Sequence, residues 1–142
     1  MHPAQGNDLP YDQKSTWSQK YNLVWDKLLG LNLFPEEIFR KEISYYKTVQ
    51  AEFGLPLDSR ERYTKNDWIT WTATMADNIS DFRAIFDPVY LFAHETPHRV
   101  PVSDWYIVDN AYRVGFQARS VVGGFYIKML ENKNIWKKWA AN

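Results

Sequence analysis

The chain has 142 residues, enough for one compact domain and too few for two. An apolar content of 45% with 17% aromatic residues describes a packed globular protein and excludes a disordered one. The 17 basic and 17 acidic residues cancel, leaving no footprint for nucleic acid or an anionic membrane, and the lack of cysteine rules out disulfide scaffolds, thiolate metal sites and cysteine nucleophiles.

Residues 1–15 are polar, carry Pro3 and Pro10, and read as a tail, either a loop or the cut end of something longer. No signal-peptide pattern opens the chain, and no apolar run approaches the ~18 residues of a membrane span. From there the apolar period is helical nearly throughout. A first helix is predicted over residues 22–31, with Leu23, Leu28, Leu29 and Leu31 around Trp25. Pro35 followed by Glu36 and Glu37 signals the start of a second helix, residues 35–53, which buries Ile38, Phe39, Ile43, Tyr46, Val49 and Phe53 and stops at Gly54.

A third helix is expected to open at Thr64, with Asp67 three residues on as an acidic variant of the capping box. Its stripe is Trp68, Trp71, Met75 and Ile79. The fourth starts at Ser80 as N-cap and carries Phe82, Ile85, Phe86, Val89, Tyr90 and Ala93. Pro88 must kink or split it. The long segment 97–118 leaves room for a small β-hairpin, "SDWYIVDNAYRVGF" folding across Asp109 and Asn110. A fifth helix follows over residues 119–131. Its Gly123–Gly124 pair, costing about 1 kcal/mol per glycine, suggests close approach of another backbone. Ile135, Trp136 and Trp139 mark a short last helix. The fold class expected is all-α, built of antiparallel helical hairpins.

In such an array helices one, three and five run the same way, so the polar, tryptophan-bearing segments that lead into them emerge on one face. Long loops on a rigid scaffold are where binding groups usually sit. Asp58, Glu61, Asp67 and Asp104 fall on this face, as do Trp17, Trp68 and Trp105. Acids in such a group suit hydrolysis; the plainer reading is that Asp67 caps its helix while Asp58 and Glu61 pair with Arg60 and Arg62. Trp68 reads as core and Trp105 as site. Arg60 and Arg119 are each able to clamp a substrate carboxylate, and Arg119 equally to tie down its own loop.

"HETPH" (residues 94–98) matches a zinc-peptidase pattern letter for letter. Pro97 ends the helix near Glu95 and points His98 elsewhere, so no metal site is expected there; the third histidine, His2, is in the tail. Asn78–Ile79–Ser80 fits the glycosylation sequon.

Five ordered stretches resemble the C-terminal part of the glutaminase A-type family of large secreted proteins: "TWSQKYNLVWDKLLGLNLFP" (residues 16–35), "GLPLDSR" (54–60), "YTKNDWITWTA" (63–73), "DPVYLFAHETPHRVPVSDWY" (87–106) and "VGFQARSVVGG" (114–124). Glu61–Arg62 and "IVDNAYR" depart from its pattern. The resemblance implies a six-hairpin glycosidase-like fold, an α/α toroid of which residues 16–142 form part, as one α-helical domain that is a fragment of a larger ring and inactive alone. It implies hydrolysis of L-glutamine to L-glutamate and ammonia and a secreted or periplasmic location; no cofactor or metal is expected. The alternative is a carbohydrate-active toroid domain. On the motif positions, the expected catalytic residues are Asp58, Asp67 and Asp104. The expected substrate-binding residues are Lys20, Asn22, Arg60, Lys65, Trp105, Gln117 and Arg119. The expected partners are a small polar substrate, glutamine or sugar, and the remainder of the parent chain, with self-association through unburied helix faces and no nucleic acid or membrane.

Overall fold

A helix needs a stop, and the first one has it in Gly30, whose left-handed φ of 64° ends the run. The computed structural model describes residues 16–140; the polar segment 1–15, His2 included, lies outside the described residues. A 3₁₀ turn, Tyr21–Leu23, leads into α1, Val24–Leu29. Behind Pro35, α2 spans Glu36–Val49, with Glu36 and Glu37 in its first turn as the dipole favours. It ends before the expected Phe53, because Gln50 turns extended. Gly54 is therefore not a helix stop. Its φ of 136° and a Cβ position only 2.8 Å from Ile69 Cδ1 make it the point where the following loop presses on the core.

Thr64 and Lys65 belong to a strand, β1 (Tyr63–Lys65), not to the third helix, and α3 spans Asn66–Thr74. The cause is long-range. β1 pairs antiparallel with β2 (Trp105–Ile107), Thr64 opposite Tyr106, and the Asn66 amide donates to the Asp104 carbonyl at 2.9 Å. The all-α expectation is corrected to a mostly helical fold with one two-stranded sheet. The predicted turn at Asp109 and Asn110 is present, with Ile107 donating to Tyr112 and Val114 to Trp105. The main partner of β2 is nonetheless β1.

α4, Ile79–Glu95, is capped by Asn78, whose side chain accepts from the Asp81 amide at 2.8 Å; Ser80 already lies inside the helix. The helix runs unbroken through Pro88. Proline removes the donor that the Ala84 carbonyl would have used, and Gln50 Nε2 supplies a replacement at 2.9 Å. The fifth helix, Ser120–Glu131, is wound as a 3₁₀ helix, not an α-helix, and α5, Lys133–Ala140, follows it.

A period of three stacks Gly124, Ile127 and Leu130 in one row. Ile127 is buried and Leu130 packs on the core, so this row faces inward. Gly124 lets the helix settle on α3, where a Cβ would stand 2.8 Å from that of Asp67 and 2.9 Å from Trp71 Nε1. The core is one cluster drawn from every layer, including Leu28, Tyr46, Ile69, Ile85 and Phe92, with Phe92 stacked on Tyr106 at 3.6 Å.

Candidate functional site

Residues 17–19 meet residues 57–59 edge to edge: Ser59 donates to the Trp17 carbonyl at 3.0 Å, and Gln19 to Leu57 at 2.7 Å. Because β1 pairs with β2, the segment around Asp104 joins the same rim. The joint is fastened by Gln19, 5% exposed, which the sequence reading passed over. Its Nε2 donates to the carbonyls of Leu55 (2.8 Å) and Pro56 (2.9 Å), and its Oε1 accepts from Thr72 Oγ1 at 3.1 Å. One buried amide thus binds three segments.

Beside this joint lies an open cleft of about 780 Å3. Of the expected residues it is lined by Lys20, Asn22, Asp58 and Arg60, together with Tyr21, Tyr63, Trp68 and the apolar Leu31, Leu33 and Phe34. Asp58 accepts from the Arg60 amide at 2.8 Å and from its guanidinium at 2.6 and 3.1 Å. That guanidinium holds the Asp58 carboxyl below the usual carboxylate range, so it is ionised at neutral pH. Lys20 pairs with Glu42 of α2 at 2.9 Å. Arg62 pairs with Asp109, at 2.6 Å, instead of with Asp58 or Glu61.

Lys65, Asp67, Asp104, Trp105 and Arg119 form a second cluster behind this lining. Asp104 is fully buried; Arg119 grips it with Nε at 3.2 Å and with Nη2, and Lys65 Nζ stands 3.7 Å away. Burial pushes the Asp104 carboxyl up, but the Arg119 bonds and the two cations outweigh it, and the net shift is downward. Arg119 therefore ties down its own loop. Asp67, 4% exposed, goes the other way: burial first, then the neighbouring Asp104 charge, raises its carboxyl, and its Oδ1 has no hydrogen-bond partner.

Lys65 sits over the rings of Trp68 (5.1 Å) and Trp105 (5.9 Å), and Trp105 meets Tyr63 edge-on at 5.3 Å. Trp68 joins the two clusters, its other neighbour being Tyr21, stacked at 4.1 Å. Gln117 is exposed in the loop before Arg119 and does not line the cleft. Trp17 packs edge-on against Tyr45 at 5.8 Å.

The "HETPH" segment breaks as the proline requires. α4 ends at Glu95, Thr96 turns extended, His94 stacks on Tyr90, and His98 Nδ1 accepts from the Arg113 amide at 3.4 Å. Asn78, the sequon residue, serves as the α4 cap. Among the described residues no group of three or more His, Asp or Glu side chains is placed to hold a metal ion, and no helix is long and apolar enough to cross a membrane.

The described residues form a mostly helical domain with one small sheet and an open cleft lined from residues 18–34 and 57–68, and that is the class the fold defines. The chain belongs to the family described as the glutaminase A six helical-hairpin domain, whose model matches residues 3–129. It is similar to glutaminase A of Aspergillus oryzae, 34% identical over 126 residues, which covers 86% of this chain and 18% of that protein. It is also similar to a probable glutaminase of Arthroderma benhamiae, 30% identical over 149 residues, 83% of this chain and 17% of that protein. The chain thus spans less than a fifth of the length of either relative. No solved structure matches it.

Proposed function

We propose that this chain supplies part of the substrate-binding wall of a glutaminase that hydrolyses L-glutamine to L-glutamate and ammonia. The observation that carries this reading is the set of opposite charges at one open cleft: Asp58, ionised beside Arg60, with Lys20 and Asn22 on the same lining. A zwitterionic amino acid requires a cation for its carboxylate, an anion for its ammonium group and amide partners for its side chain. Hydrolysis adds water oxygen to the amide carbon, breaks the C–N bond and sends the water proton to the departing ammonia.

Asp58 is the one expected acid that lines the cleft, so it is assigned to the water or the ammonium group, with Arg60 and Lys20 on the carboxylate. Asp67 and Asp104 are both buried and act from behind the lining, where Asp104 holds Lys65 and Arg119 as the frame of the wall. The helices take the place of hairpins in a larger α/α toroid, completed by further polypeptide of a secreted or periplasmic protein.

The test is ammonia release from L-glutamine by the whole protein that carries this domain, with Asp58→Asn expected to lower kcat by about 10²-fold or more. A whole protein inert to glutamine ends the reading. The aromatic lining of Tyr21, Tyr63 and Trp68 favours a second one, a carbohydrate-active domain in which sugars stack on these rings. Glycan binding or hydrolysis without ammonia release would select it.

A further inference from the structure

The turn between α1 and α2 carries apolar side chains outward. No residue between Lys27 and Glu36 is charged, and Leu29, Leu31, Leu33 and Phe34 are 50%, 50%, 69% and 44% exposed. Apolar side chains scattered singly over a surface need no explanation, but a run of them in one turn marks a face that something covers.

The turn is also built to hold this shape. The carboxylate of Asp26, 7% exposed, accepts from the Leu33 amide at 2.9 Å and the Phe34 amide at 3.3 Å, and the Asp26 carbonyl accepts from the Leu31 amide at 3.0 Å. Gly30 and Asn32 take left-handed φ values of 64° and 54°, which close the turn. A buried carboxylate is an expensive group to place, and here its bonds fix the backbone with the apolar side chains in the open. A surface shaped in advance loses little conformational freedom when it is covered.

The family indicates what is available to cover it. Six helical hairpins are twelve helices, whereas the described residues hold α1 to α5 and two 3₁₀ segments. The chain also matches less than a fifth of either relative. Each further hairpin has an apolar stripe of its own, which is stable only when packed against another element.

We propose that a further helical hairpin of the whole protein packs its apolar stripe on Leu29, Leu31, Leu33 and Phe34. The last three also line the cleft, beside Lys20, Asn22, Asp58 and Arg60. The hairpin that covers them therefore becomes another wall of that cleft, and the substrate site lies at the joint. This rests on the reading of the chain as part of a larger glutaminase, and adds to it where the further polypeptide attaches.

The chain has no cysteine, so one introduced at position 33 reports on the turn alone. Leu33→Cys is made in this chain and in the whole protein, and alkylation by iodoacetamide, with no other ligand added, is followed at that position by peptide mass analysis. Labelling is expected to be at least about tenfold slower in the whole protein, the effect of burying one leucine. Adding Leu31→Asp is expected to restore the fast rate in the whole protein and to change nothing in this chain, where position 31 is already exposed. Equal rates in the two proteins overturn the inference, as does a whole protein with no polypeptide beyond these 142 residues. Slow labelling of this chain by itself, slower still as its concentration rises, puts a second copy on the turn and overturns it too. Ammonia release from glutamine by the same whole-protein sample separates the two readings. Release with equal labelling rates removes the joint and leaves the glutaminase, whereas protection without release keeps the joint and removes the glutaminase.

Discussion

Asp67 and Asp104 are neighbours that respond to pH in opposite senses. The folded-state carboxyl of Asp67 lies above its ordinary value, through burial and then the Asp104 charge. As pH rises through the ordinary carboxylate range the unfolded chain loses this proton first, so stability falls until the folded-state value is passed. Asp67→Asn removes that cost. Its Tm is expected to exceed the parent's at neutral pH, with the difference closing by about pH 3. Asp104 is depressed, so its contribution is present above the ordinary carboxylate range and is lost as pH falls through its folded-state value. Asp104→Asn leaves Lys65 and Arg119 without their shared anion and is expected to lower Tm by on the order of 5 °C. An unchanged Tm at neutral pH would show that the ion pairs are as weak as exposed ones. From residue types alone both acids had equal claim to the site; only burial separates them from Asp58.

The two glycines of the 3₁₀ helix answer to different neighbours. Gly124 sits on Asp67 and Trp71, while nothing stands within 4 Å of where a Cβ would be at Gly123. Gly124→Ala is therefore expected to destabilise the fold by about 1–3 kcal/mol through overpacking, and Gly123→Ala to stabilise it by about 0.5–1 kcal/mol. Urea unfolding of the two variants checks both signs; equal effects would mean that the row of Gly124, Ile127 and Leu130 does not face α3. Gln50→Leu removes the donor that serves the Ala84 carbonyl below Pro88. It is expected to cost about 1–3 kcal/mol by the same measurement. The close approach of a backbone at the glycine pair was readable from sequence, but not which glycine it needed. The unbroken course of α4 through Pro88 was not readable either, because the compensating donor lies far off in the chain.

Across the whole molecule, zero net charge coexists with exposed Leu29 (50%), Tyr126 (68%) and Trp139 (68%). A surface of this kind favours association. Sedimentation velocity is expected to show concentration-dependent self-association that Tyr126→Asp weakens; a monomer at every concentration removes the expectation.

Helix positions, the turn at Asp109–Asn110, the end of α4 at Glu95 and the family were legible in the residues. The helices, the turn and the helix end follow from short-range rules, namely apolar period, capping groups, and what proline and glycine permit; the family follows from the five ordered stretches that resemble it. The strand in Thr64–Lys65, the burial of Asp67 and Asp104, the clamp of Gln19 and the Asp26-braced apolar loop were settled by contacts between segments far apart in the chain. A side chain's solvent exposure and charge partners depend on what packs over it, and no local pattern carries that information.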